Sequence, residues 1–175
     1  MAPAIPPFAD LLDGSTRQAI HLEARDAYSA KDEAYLQWRR DGALPEEEVR
    51  RRWGSWIDLA GDAVDRGVRI RRARVVSEPP SDYVRYEHAI TTALNLAAGE
   101  QVRWLPRDQA PEQLLIPVND FWIFDDHTVL FLHHAGDGEE TRRALSRDQQ
   151  LIAGLTGAFE TVWEASVDHE HYRPH

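Results

Sequence analysis

Apolar residues change their period part-way along the chain. From Phe8 to Val64 they recur at helical spacing with one interruption, and from Val68 onward short continuous runs alternate with helical stripes. Phe8, Leu11 and Leu12 make an apolar helical turn that Asp13-Gly14 ends. Residues 19–26 fit both the helical and the strand period poorly and are read as extended. Residues 32–40 read as a helix, with Tyr35 and Trp38 on one face and Gly42 beyond its end. Pro45 followed by Glu46, Glu47 and Glu48 predicts a helix start, because proline suits the first turn and carboxylates oppose the positive end of the helix dipole. Trp53, Ile57, Ala60 and Val64 continue that helix as one stripe, and Gly67 stops it.

Residues 68–77 are β-prone, and Pro79-Pro80 break the strand. Ser81 caps a helix carrying Tyr83, Tyr86, Ile90, Leu94 and Ala97, which Gly99 closes. Residues 101–105 form the next strand. A proline-containing loop leads to a hairpin of residues 121–124 and 128–133 around Asp125-Asp126. The runs at Phe121 and Val129 suit strands covered on both faces. Ser146 with Gln149 predicts a capping box for a last helix whose stripe is Leu151, Leu155, Phe159 and Val162. The expected architecture is one α/β (α+β) domain. A mainly helical N-terminal layer, 1–67, precedes a β-α-β-β-β-α mixed sheet, 68–167, and a polar tail, 168–175.

Composition narrows the function classes. A chain of 175 residues with 42% apolar positions can bury a full core. The net charge of −10 repels nucleic acid and anionic membrane, so direct nucleic-acid binding is not expected. Arg69, Arg71, Arg72 and Arg74 form the one candidate basic face. The absence of cysteine excludes disulfides, thiolate catalysis and cysteine zinc sites and fits a reducing compartment. The proline-rich start, 1–7, is expected to be a frayed arm. It lacks a signal peptide's basic patch and apolar run, and no later run is long and apolar enough to span a bilayer, so a cytoplasmic location is expected.

Residues 119–126 carry the most specific chemistry. Strand, helix, the strand pattern G-x-x-V-R-x-L at Gly99 to Leu105, a variable loop, and a strand leading to Asp together resemble half of a phospholipase D-like fold. That superfamily carries His-x-Lys-x-x-x-x-Asp, in which His attacks phosphorus, Lys binds the phosphate and Asp orients the site. Counted back from Asp126, the Lys position is Phe121 and the His position is Asn119. A carboxamide is no substitute for an imidazole nucleophile, and a phenyl ring offers a phosphate no charge. The resemblance thus implies the fold without the hydrolytic chemistry.

Five blocks in order, 22–28, 74–79, 82–87, 98–103 and 120–125, resemble an uncharacterised actinobacterial family often encoded beside helix-turn-helix regulators, over residues 8–172. The resemblance implies such a regulator as partner. The favoured expectation is a non-catalytic regulatory or interaction module that binds a partner or small ligand through a degenerate cleft. The candidate ligand-binding residues are Glu78, Tyr83, Arg85, Glu87, Arg103, Asn119 and Trp122. The alternative is a hydrolase or transferase acting on a phosphorylated or nucleotide-like substrate, with Asp120 and Asp126 as acid and base. The phospholipase D-like resemblance implies a homodimer, since such halves usually pair to complete a site, and both faces of the strand at Phe121, Trp122, Ile123 and Phe124 need cover. No cofactor or metal is expected: adjacent residues His133 and His134 point to opposite faces of a regular strand, and His169, His171 and His175 lie in the tail.

Overall fold

The computed structural model describes residues 5–175. Residues 1–4 of the proline-rich arm lie outside the described residues. A seven-stranded mixed sheet divides the molecule, with one long helix on one face and four helices on the other. The strands are β1 (Gln18–Glu23), β2 (Arg69–Val76), β3 (Gln101–Pro106), β4 (Asp120–Phe124), β5 (Thr128–His134), β6 (Glu140–Ser146) and β7 (Val167–Asp168), in the spatial order β6-β5-β4-β1-β2-β3-β7. The trio β1, β2 and β3 is parallel, and the remaining pairings are antiparallel.

The helices are α1 (Phe8–Asp13), α2 (Glu33–Asp41), α3 (Glu46–Asp65), α4 (Asp82–Thr91) and α5 (Gln149–Ala165). Local chemistry sets their ends. The Asp32 carboxylate accepts from the Ala34 and Tyr35 amides to cap α2, and Gly42 closes it in the left-handed conformation at φ 77°. The Ser81 hydroxyl accepts from the Val84 amide to cap α4. Beyond Thr91 the chain widens into one π turn, Thr92–Leu96, in which the Ala97 amide donates to the Thr92 carbonyl.

Alternation along the strands separates two cores. Ile20, Leu22, Val75, Phe121 and Ile123 pack under Ile152, Leu155, Phe159 and Val162 of α5. On the other face Ala19, Ile70, Trp122, Phe124 and Leu130 pack under Leu12 of α1 and Ile57, Ala60 and Ala63 of α3. Helices α2, α3 and α4 join through Tyr35, Val49, Tyr86 and Ile90.

Several expectations need correction. The segment 19–26 is extended as expected over residues 19–23, but the helical N-terminal layer is not separate from the sheet: β1 is its central strand, so the N-terminal and C-terminal parts share one sheet. Strand β6 was not anticipated, because Glu140, Thr141, Arg142 and Arg143 are exposed on an edge that needs no apolar alternation. The last helix is capped by Asp148, whose carboxylate accepts from the Gln150 and Leu151 amides; Ser146 ends β6 instead. The buried stripe therefore begins at Ile152, and Leu151 is exposed. The tail is not merely polar: β7 pairs with β3, and Tyr172 stacks on Trp104 at 5.3 Å with both rings buried. Both faces of β4 are covered by this chain's own helices. Among the described residues no helix is long and apolar enough to cross a membrane.

Candidate functional site

Strand register builds a polar cluster on the four-helix side of the sheet. His21 stands opposite Arg72 of β2 and Trp122 of β4, and Glu23 stands opposite Arg74. These side chains point to one face, while Ile20, Leu22 and Ala73 point to the other. The His21 ring stacks on Trp122 at 4.2 Å. Its Nδ1 lies 2.8 Å from the Phe121 carbonyl oxygen and its Nε2 2.9 Å from Glu23 Oε1. Both ring nitrogens are thus engaged by oxygen atoms of the protein itself, and the buried ring offers neither of them to a substrate.

Glu23 is the hub of the cluster. Arg72 Nη1 donates to Oε1 at 2.6 Å and Arg74 Nε to Oε2 at 2.5 Å. Burial opposes ionisation of Glu23, but Arg74, Arg72 and His21 outweigh it and hold the carboxyl well below the usual carboxylate range. Arg72 also donates to Glu100 at 2.9 Å, and Glu100 accepts from the Trp56 indole at 2.9 Å and from the Asn95 amide at 2.8 Å. Arg74 donates to Thr91 Oγ1 at 3.0 Å and lies 3.6 Å from Glu87. Burial, with the neighbouring Glu23 charge, pushes the Glu87 carboxyl up to about 8 against the pull of Arg74. Two guanidiniums thus serve three buried carboxyls, and the least well paired of the three keeps its proton.

A second polar group adjoins this cluster. The buried Asp120 carboxylate accepts from the Ala24 amide at 2.9 Å and from the Tyr28 hydroxyl at 2.6 Å, with His134 Nδ1 at 4.0 Å. Burial raises the Asp120 carboxyl despite both hydrogen bonds. It also raises the Tyr28 hydroxyl well above its ordinary value, helped by the charges of Glu23 and Asp120. His134 is lowered by burial, which Asp120 only partly offsets.

Above the cluster lies a cavity of about 310 Å³. Its floor is Trp122, Arg72 and Arg74 of the sheet; Phe8, Trp53 and Trp56 line it together with Leu94 and Asn95 of the adjoining π turn, and Arg143 of β6 stands at the rim. Two helix irregularities border it. Trp53 departs from helical geometry inside α3 (φ −117°, ψ 18°), and Leu94 and Asn95 belong to the π turn.

The sequence candidates do not assemble into one site. Trp122, Glu87 and Asp120 lie on this side of the sheet, Trp122 at the floor of the cavity. The Tyr83 hydroxyl donates to Asp32 at the α2 cap. Glu78 accepts from the Tyr172 hydroxyl and the His175 amide, and exposed Arg85 meets the His175 carbonyl, so both secure the tail. Arg103 sits at the opposite sheet edge, bonded to Asp168 and over the Trp163 ring at 4.5 Å. Asn119 is half-buried just before β4, and Phe121 is sealed under α5. Asp126 belongs to the hairpin turn, where Arg17 and Gln18 bind its carboxylate. Asp125 and Asp126 have φ of 50° and 60°, as a tight primed turn requires. Asp120 and Asp126 therefore occupy opposite ends of β4, about 13 Å or more apart at strand rise.

The basic face of Arg69 to Arg74 does not exist as a surface. Arg72 and Arg74 are buried in the cluster, and Arg71 points to the other face, paired with Glu160 at 2.7 Å. Among the described residues no group of three or more His, Cys, Asp or Glu side chains is arranged to hold a metal ion. Sequence reasoning missed His21, Glu23, Glu100 and Asn95. The available signal was His21-Leu22-Glu23, charged side chains alternating with apolar ones in a segment otherwise suited to burial.

Comparison with solved structures finds the phospholipase D family member Nuc from Salmonella typhimurium, at 13% identity and a TM-score of 0.49, over 94% of this chain and 88% of that one. It also finds TrmBL2, described as an archaeal chromatin protein with a novel mode of DNA binding, at 15% identity and a TM-score of 0.47, over 91% of this chain and 47% of that one. No curated protein matches in sequence. One family's sequence profile matches residues 6–174, and the chain belongs to that family, the domain of unknown function DUF6879.

Proposed function

We propose that this protein is a non-catalytic binding module whose cavity, between the sheet, α1, α3 and the π turn, receives a small ligand or a side chain of a partner regulator. The observation that carries this reading is the saturation of the groups beneath the cavity. Both His21 nitrogens are engaged by protein oxygens, and Arg72 and Arg74 are spent on carboxylates. A phosphodiesterase needs a free nucleophile and an unspent cation for the phosphate. At the spacing of the phospholipase D-like motif this chain offers Asn119 with Phe121.

The raised carboxyl of Asp120 favours a second reading, a hydrolase or transferase that uses Asp120 as an acid. That reading lacks a partner base, because Asp126 closes the hairpin at the other end of β4. A helix-turn-helix regulator is the partner class proposed for the first reading, on the strength of the actinobacterial family resemblance. Co-purification of the full chain with regulators encoded beside its gene tests it. A complex at micromolar concentration that weakens with Trp53→Ala supports the module. A chain that ignores every such regulator and carries no ligand counts against it.

A further inference from the structure

We infer that the cavity beside Asn95 is a binding site for a small, uncharged, planar nitrogen heteroaromatic ring that donates one N–H to Asn95 Oδ1. This deepens the binding-module reading and rests on it. Asn95 is 2% exposed, and its amide nitrogen is committed to Glu100 at 2.8 Å. Among the described residues its Oδ1 has no hydrogen-bond partner, although the side chain lines the cavity. A buried acceptor left unpaired is costly, and a ligand donor removes that cost.

Geometry selects a flat ring. Phe8, Trp56 and Trp122 hold one another at centroid distances of 5.1 to 5.8 Å, and this aromatic surface lines the cavity together with Leu94 and Asn95. Such surface favours offset or edge-on packing of another ring. A volume of about 310 Å³ lies at the low end of ligand pockets, enough for a bicyclic ring and too little for one with a long phosphate chain. The π turn places Asn95 in the cavity lining, and the distortion at Trp53 borders the same cavity. Single π turns inside helices are often tied to binding sites.

Electrostatics excludes an anion. Three guanidiniums line the cavity, and each is already matched: Arg72 by Glu23 and Glu100, Arg74 by Glu23 and Glu87, and Arg143 at the rim by Glu140 at 2.7 Å. A phosphate or carboxylate entering here would meet Glu23 and Glu100 without a free cation to receive it. A neutral ring avoids that conflict, and the guanidinium of Arg72, 5.3 Å from the Trp122 ring, adds a flat surface to the floor.

The test titrates the full chain with indole and with indene, a carbon isostere lacking the N–H, followed by ligand-observed NMR at pH 7. Indole is expected to bind with a Kd at or below about 1 mM. Indene is expected to bind roughly five- to tenfold more weakly, the value of one hydrogen bond to a buried acceptor. Asn95→Leu should erase that difference. Trp53→Ala should weaken indole at least tenfold, while Leu151→Ala, on exposed α5 surface across the sheet, should leave it unchanged. Trp53→Ala keeps the test decisive if Asn95→Leu does not fold, since Trp53 makes no buried hydrogen bond. Equal binding of indole and indene, or no binding of indole at several millimolar, overturns the assignment. If indole fails while a Trp53-dependent partner complex persists, the ring assignment falls and the module stands; if both fail, both fall.

Discussion

Replacing Glu87 by Gln should remove a pH dependence of stability that the buried cluster creates. Glu87 shares Arg74 with Glu23, and its carboxyl is raised from an ordinary value of 4.5 to about 8. A carboxyl raised on folding binds more protons in the native than in the unfolded state. Its stabilising effect is therefore complete below the unfolded value and is lost as pH rises through the folded value. The loss runs at up to about 1.4 kcal/mol per pH unit, the free energy of one pKa unit, across the interval from 4.5 to about 8. Because Arg74 couples Glu87 to Glu23, part of the cost is shared, and about 2–4 kcal/mol is expected between pH 5 and 8. Gln mimics the protonated form and cannot ionise. Urea unfolding of wild type and Glu87→Gln at pH 5, 6, 7 and 8, followed by tryptophan fluorescence, isolates this group in the difference curve. Titrations of His88, His134, His169 and Asp120 are common to both proteins. The variant should gain on wild type as pH rises. Curves parallel within about 0.5 kcal/mol would refute the placement of a proton on Glu87.

Three further outcomes follow from the same structure. Glu23→Gln leaves His21, Arg72 and Arg74 without their shared carboxylate and should destabilise the fold by about 3–5 kcal/mol in urea unfolding, as expected for a broken buried ion pair. Asp125→Ala removes the acceptor of the Thr16, Arg17 and Gln18 amides and should cost roughly 1–3 kcal/mol at pH 7. Those bonds hold the Asp125 carboxyl below its ordinary value against burial, so the gap from wild type should close as pH falls below about 3.9 and through that lower value. At Gly138, φ is 87° and an added Cβ would lie 2.5 Å from the Tyr28 carbonyl carbon, so Gly138→Ala should lower stability by on the order of 1–3 kcal/mol. A neutral result there would mean that the turn before β6 does not rest on Tyr28.

Elements marked by their own residues were legible in the sequence. Asp32 and Gly42 bound α2, Pro45 and the three glutamates open α3, Ser81 caps α4, and the paired aspartates turn β4 into β5. Strand β6 was not legible, because an exposed edge carries Arg142 and Arg143 where an inner strand would alternate. The π turn was not legible either: Thr92 to Leu96 reads as ordinary helix, and the extra residue shows only in the hydrogen bonds. The site was legible in fragments. Trp122 and Glu87 were singled out, but the cluster that joins them depends on strand register, since shifting β2 by one residue would send Arg72 and Arg74 to the α5 face. Buried charge in a central strand was the missed signal: His21 and Glu23 alternate with Ile20 and Leu22 in a strand covered on both faces.

The claim that this chain binds without hydrolysing is tested most directly by turnover of a simple phosphodiester, bis(p-nitrophenyl) phosphate, by wild type beside His21→Ala and Asp126→Ala prepared in the same way. Wild type should release p-nitrophenol no faster than either variant or buffer. Release by wild type that disappears with either substitution would contradict the account, because it would require a nucleophile that the bonds from His21 to Phe121 and Glu23 deny.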